Sequence, residues 1–476
     1  MRPARVVFRI VGSLAIAVLG IAHLFLLYGM RIELSGEGVP SFLTFRSKES
    51  HYERLEASRK RQATPVSDTA PAATPSPVAA PADTPATTPT ATGYWTDFRG
   101  PGRKGHYEEM AILTRWPSQG LPLLWRQPAG EGYASFVVAG GLAYTIEQRR
   151  GREVVAAYDV KSGREAWTDG WEAKFSESMG GDGPRTTPVW HDGRIYALGA
   201  EGEFRCLDAP TGKVHWRRNI LTENGAANIQ WGVSSSPLVV DDKVVVMPGG
   251  PNGKSVIAYH RLTGEPVWSA LDDKAAYTSP MVVTLGGRRQ LLLVSAKRAM
   301  GLTVEKGELL WEYPWVTEYD VTASQPIVAG PNRFFISAGY DHGAALVEIT
   351  PEGNRFAART VWSNNRMKNR FNSAVLYDGH VYGLDEGILA CMNLETGDLK
   401  WKGGRYGYGQ LLLASDHLVV LSETGDAVLV RPTPEKHDEL ARFSALDGRT
   451  WNHPAIDGGK LLVRNAAEMA CYRIGR

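Results

Sequence analysis

Cysteine is scarce in this chain, with three in 476 residues, at positions 206, 391 and 471. So few exclude a disulfide-built scaffold. No Cys-x-x-Cys-His run is present to attach haem and no His-Glu-x-x-His pair to hold zinc, while the eleven histidines are scattered with no two at ligand spacing. No metal site is therefore assigned. Charge of one sign is lacking too: 53 basic against 51 acidic residues leave a net charge of +2, too little for a nucleic-acid-binding field. Gly253-Lys254-Ser255 looks like the end of a phosphate loop, but Pro248 stands where its first glycine is needed and no helix pattern follows.

What is present is a repeat. A small residue leads through a glycine turn to a tryptophan ten positions later, as Ala157–Gly163–Trp167, Cys206–Gly212–Trp216, Ala258–Gly264–Trp268, Gly301–Gly307–Trp311 and Cys391–Gly397–Trp401. A sixth copy, ending at Trp362, breaks the spacing. Recurrence at roughly 40–50 residues marks one supersecondary unit used again and again. Ahead of most copies two short apolar runs flank a two-residue turn, such as Asp192-Gly193, Asp378-Gly379 or Gly458-Gly459. Such turns need positive φ, so these are hairpins. Prolines 188, 237, 280, 326 and 454 open first strands, where a missing N–H costs least.

Hairpin, small-residue strand and tryptophan strand make a four-stranded antiparallel sheet, and eight of them make an all-β, eight-bladed β-propeller. The last blade ends at Cys471-Tyr472 without a fourth strand, while residues 121–127 offer a spare one around Trp125. That segment is expected to close the ring. In blade seven Phe443 or Leu446 stands in place of tryptophan. The cysteines share the position of Ala157, Ala258 and Gly301, so they read as small packing residues, free rather than bridged.

With Asp159, Asp208 and Asn393 at its polar position and Thr211-Gly212, Thr263-Gly264 and Thr396-Gly397 at its turn, the repeat resembles the pyrroloquinoline-quinone-type (PQQ-like) propeller repeat over about residues 94–476. The resemblance implies a propeller whose tryptophans dock blade on blade. It spans two kinds of protein: quinone-cofactor dehydrogenases and a non-catalytic assembly lipoprotein of the outer membrane.

The front of the chain is different. Residues 1–9 carry Arg2, Arg5 and Arg9, and residues 10–30 carry no formal charge. That length spans a bilayer, with the N-terminus cytoplasmic, and no small-x-small site for cleavage follows closely. A retained transmembrane signal anchor in the inner membrane is expected, with cleavage the alternative. Residues 31–62 form a charged juxtamembrane segment with a weakly signalled helix near 51–61, and residues 63–93, with seven prolines, form a semi-extended linker. Residues 94–476 then face the periplasm or exterior as the propeller.

Loops leading from one blade's outer strand into the next blade's inner strand converge on the axis. They carry Arg185, Gln230, Trp231, Tyr277, Asp320, Gln325, Lys368, Arg370, Asn372, Tyr408, Gln410, Trp451, Asn452 and His453. These polar and aromatic side chains are expected to form one funnel for a ligand, while residues 95–101 pack against the ring as a clasp. The favoured reading is a non-catalytic module binding a protein or small polar ligand at the funnel, with catalytic residues unassigned. The alternative is a dehydrogenase of alcohols or sugars using pyrroloquinoline quinone with a divalent cation, the tricarboxylate meeting the funnel's Arg and Lys. Against it stand the absence of two adjacent cysteines and of long inserted loops.

Overall fold

In the computed structural model, residues 31–34, 40–44, 48–63, 93–353 and 355–476 are described. Eight blades follow in order at 137–172, 189–219, 238–270, 281–314, 327–364, 375–405, 410–444 and 455–473. Each has four antiparallel strands running outward from the axis, the seventh with His106–Tyr107 added in parallel to its inner strand Gln410–Ala414; the eighth is completed by Leu123–Pro128, paired antiparallel with Glu468–Arg473 so that Trp125 faces Cys471. The ring is thus closed by its two ends.

Burial follows from this layout. Middle strands such as Leu142–Arg149 are covered by neighbouring blades on both faces and are buried almost throughout, whereas the outer strand Glu165–Glu172 alternates between covered and open positions. The repeat's residue types have direct causes. Ala157, Cys206, Ala258, Gly301 and Cys391 each lie directly across the sheet from their tryptophan, with a bulge immediately after. The small side chain leaves room for the indole. That indole reaches the next blade: Trp167 Nε1 donates to Ala209 O at 2.9 Å and Trp216 Nε1 to Arg261 O at 3.0 Å. The turn glycine of the next blade lies on the ring, so a Cβ on Gly212 would come within 2.5 Å of Trp167.

Two irregularities are explained. In blade five the strands Gly343–Glu352 and Arg355–Asn364 are longer, which moves Trp362 opposite Leu346. Trp311 of blade four, lacking a close turn beside it, stacks on Phe334 and donates to Gln290 Oε1 at 2.6 Å. In blade seven the bulge follows Leu429, which faces Ala441, so Ala441 holds the tryptophan position and not the expected Phe443 or Leu446; Phe443 stands two residues further along, opposite Ala427. All three cysteines are buried and free. Burial pushes the thiols up, Cys391 to about 11 and Cys471 to about 12.

Ahead of the ring lie a hairpin, Arg31–Leu34 with Pro40–Thr44, and a helix, Lys48–Ala63, longer than the 51–61 expected. The helix sits at the closure seam. Tyr52 and Leu55 are buried, Tyr52 Oη donates to Glu131 at 2.6 Å, and Arg59 donates to Pro128 O at 2.8 Å and pairs with Glu165 at 3.2 Å. The expected anchor at 10–30 and nearly all of the linker lie outside the described residues. Among the described residues no helix is long and apolar enough to cross a membrane.

Candidate functional site

The funnel is built on a belt of short polar side chains that begins where the chain enters each inner strand. Thr187 Oγ1 accepts from the Ser135 N–H at 3.0 Å, Ser236 Oγ from Thr187 at 2.9 Å and Ser279 Oγ from Ser236 at 2.9 Å. Gln325 Oε1 continues it, accepting from Ser279 at 3.2 Å, and Ser373 Oγ from Gln325 at 3.0 Å. Blades one to six are thereby tied each to the next around the axis.

From the other side the clasp enters the axial hole. Arg103 donates to the carbonyls of Ser236, Pro237 and Pro280 and pairs with Asp97, while Arg99 donates to those of Ser373 and Ala374 at 3.1 and 3.0 Å. Burial of Arg99 pulls its guanidinium down to about 9. The same segment carries Phe98 into the axis, edge-on to His453 with ring centroids 5.1 Å apart. The expected clasp is therefore also the floor of the funnel.

Above this floor is a cup of about 200 Å³. Arg185, Trp231, Tyr277, Gln410, Trp451 and His453, all expected at the funnel, line it. Trp231 and Tyr277 tilt together at 5.6 Å, and Trp451 lies 5.3 Å from Tyr133 and 4.8 Å from Phe371. Burial raises the Tyr277 phenol to about 12, and burial with the charge of Arg99 holds the His453 imidazole well below its ordinary value, hence neutral.

The other expected residues do not line the cup. Gln325 belongs to the belt, donating from Nε2 to Ser279 O at 2.6 Å. Asn452 staples the last blade to the first through Gly132 O and Ala134 O, and buried Asn372 accepts from Asn369 at 2.8 Å. Arg370 stands one layer back, stacked between Tyr340 and Tyr408 and paired with Glu386 at 3.2 Å. Lys368 pairs with Asp341 and Asp320 with Lys297 at the rim; Tyr408 is buried, donating to Glu386, and Gln230 is exposed.

Sequence reading missed Tyr133, Tyr340, Phe371 and a wall made by residues 176–184. That wall had a signal in its glycines. A Cβ on Gly180 would come within 2.9 Å of both Arg185 and Trp231, and one on Gly181 within 2.7 Å of Arg449 and Tyr133. Only glycine lets the loop pass between these side chains.

Residues 151–403, just over half of the chain, match the family described as Outer membrane protein assembly factor BamB. The chain belongs to that family. A BamB of Burkholderia pseudomallei (strain K96243) is 22% identical over 355 residues, covering 65% of this chain and 87% of the relative. The 1-butanol dehydrogenase (cytochrome c) of Thauera butanivorans is 27% identical over 165 residues, 34% of this chain, and the match spans only 23% of that enzyme. Among solved structures, BamB from Moraxella catarrhalis superposes with a TM-score of 0.52 at 15% identity, over 74% of this chain and 97% of that one. Quinohemoprotein alcohol dehydrogenase from Comamonas testosteroni superposes with 0.58 at 12% identity, over 81% of each. At such identities the structures share the fold.

The cup of this BamB-family propeller does not suit a quinone held by a divalent cation, which needs convergent oxygen ligands. Among the described residues no three His, Cys, Asp or Glu side chains gather as they would around an ion. The nearby carboxylates are engaged in the wall: Glu386 accepts from Arg370 and Tyr408, and Glu423 from the Trp451 indole at 2.9 Å. The cysteines lie in blades two, six and eight, inside sheets.

Proposed function

We propose that this chain is a non-catalytic binding propeller, anchored in the inner membrane by residues 10–30 and facing the periplasm, whose funnel receives a protein segment or small ligand. The observation that carries this reading is the make-up of the cup. Its walls are aromatic rings backed by guanidinium groups, its histidine is held neutral against Phe98, and its carboxylates are tied into the wall. Such a surface binds; it offers no base placed beside a nucleophile or an ion. The relatives named as outer membrane protein assembly factors support a protein partner.

Photo-cross-linking in cells from a reactive amino acid at position 231 is expected to give a discrete adduct, absent when the probe stands at position 193, a hairpin turn at the opposite end of the ring. The purified protein given pyrroloquinoline quinone and calcium is expected to reduce no dye when alcohols are added. Alcohol-dependent dye reduction would establish the dehydrogenase instead.

A further inference from the structure

We infer that the funnel takes the uncharged phenol of a tyrosine, presented by an extended segment of a partner protein. This rests on the funnel being a binding site and names what enters it. The wall sets the charge of the guest. Arg370 is paired with Glu386, the carboxylate of Glu177 acts on Arg185, and Arg449 donates to Tyr133 Oη at 2.8 Å while stacking on Trp451 at 4.3 Å. Neither an anion nor a cation finds an unengaged opposite charge there, so a charged guest would lose its water for little return. The amides are engaged too: Gln410 donates to Phe371 O and Trp451 O at 3.1 and 2.9 Å, and Asn452 to Gly132 O and Ala134 O.

What faces the cavity is ring carbon. Trp231, Tyr277, Tyr340, Phe371 and Trp451 stand around it over Phe98, all of them half-buried. An apolar cavity of about 150 Å³ holds a benzene ring, so a cup of about 200 Å³ admits one substituted ring. Tyr340 is held there against its backbone preference. It and Asp341 are the central residues of the turn in which the His342 N–H donates to Gly339 O, and both have positive φ, 55° and 58°. A bulky side chain seldom adopts that conformation, and such strain gathers where a ligand is held. His453 then selects the substituent. Its imidazole, on the floor beside Phe98, is neutral, and no described residue hydrogen-bonds its ring nitrogens. A neutral imidazole has one N–H to donate and one lone pair to accept with; a hydroxyl answers either, an indole only the lone pair, and a phenyl ring neither.

The rim identifies the carrier. Met179, exposed, stands at the mouth on the wall between blades one and two. Between blades four and five the aromatic surface runs outward from Tyr340 to Tyr319, edge-on at 5.5 Å, and both Tyr319 and nearby Val316 are exposed. These apolar groups flank the cup on two sides, where the residues before and after a seated tyrosine would pass. A free phenol reaches none of them.

Calorimetric titration of the full chain tests this with a short peptide, blocked at both ends, whose central tyrosine is flanked by leucines. It is expected to bind about fivefold more tightly than its phenylalanine counterpart, the worth of one hydrogen bond. Its phosphotyrosine counterpart should not bind measurably, and 4-methylphenol should bind about tenfold more weakly for want of the rim contacts. His453→Phe should remove the tyrosine preference by weakening the tyrosine peptide alone; a merely structural role would weaken both peptides. Should that variant fail to fold, judged by its melting curve, the ring-nitrogen resonances of isotope-labelled histidine in the unaltered protein give the same comparison, one of them moving with the tyrosine peptide and not with the phenylalanine peptide. Equal affinities for the tyrosine and phenylalanine peptides, tighter binding of the phosphotyrosine peptide, 4-methylphenol binding as tightly as the tyrosine peptide, no binding of any of these at millimolar concentration, or a tyrosine preference intact in His453→Phe overturns the inference. None of these outcomes alters the cross-linking and dye-reduction results, so the binding reading stands or falls separately.

Discussion

Gly163 and Gly193 both have φ near +70°, at 69° and 72°, yet they serve different ends. A Cβ on Gly163 would meet the Trp125 ring at 2.6 Å, whereas one on Gly193 meets nothing within 4 Å. Gly193→Ala is therefore expected to cost only the left-handed backbone penalty, ~1–2 kcal/mol. Gly163→Ala adds overpacking against the ring, a further ~1–3 kcal/mol, and should lower the unfolding midpoint distinctly more in parallel denaturant titrations. Equal losses would mean that the indole yields and that blade docking does not depend on this contact. The spacing of small residue, glycine and tryptophan was legible because each repeats with a single cause. Gln325 was misread for the opposite reason: it fills a belt position that Thr187, Ser236, Ser279 and Ser373 fill elsewhere, and a long amide before proline looks like a ligand group until its partners are seen.

The helix Lys48–Ala63 was weakly signalled because tertiary contact supports it. Its buried apolar residues are Tyr52 and Leu55, and much of its docking is polar, through Ser58, Arg59 and Gln62. Arg59 joins Arg149 and Arg464 around the fully buried Glu147; burial pushes that carboxyl up, but the three guanidinium groups overcome it and hold it at about 2. A depressed carboxyl stabilises the fold fully above its unfolded value near 4.5, and this contribution is lost as pH falls toward about 2. Arg59→Ala is expected to cost about 1–3 kcal/mol at pH 7, less than breaking an isolated buried pair because two partners remain. The difference from the parent protein should shrink as melts are run at successively lower pH through that window. A constant difference would assign the loss to helix docking alone. The wall at 176–184 was a similar case at the level of elements, since glycines mark a close approach without saying what is approached.

At the scale of the whole molecule, blade count, blade composition and the closing strand could be read from periodicity, because a ring must repeat its parts and pair its ends. The plugged axis could not, because it depends on Arg99 and Arg103 meeting carbonyls more than a hundred residues away in sequence. Clasp and closing strand together give one consequence for truncation. A chain lacking residues 94–128 loses the partner of Glu468–Arg473, the inner pairing of His106–Tyr107 with Gln410–Ala414, and both axial arginines. It exposes a bare strand edge and leaves five buried carbonyls at the starts of three inner strands without donors. A chain lacking residues 1–92 loses, among the described elements, only the hairpin of Arg31–Leu34 with Pro40–Thr44 and the seam helix, so its ring stays closed with a lower melting temperature. The first is expected to aggregate on refolding and the second to remain monodisperse by size-exclusion chromatography with light scattering. A monodisperse, cooperatively melting chain without residues 94–128 would show that the ring closes by blade packing alone.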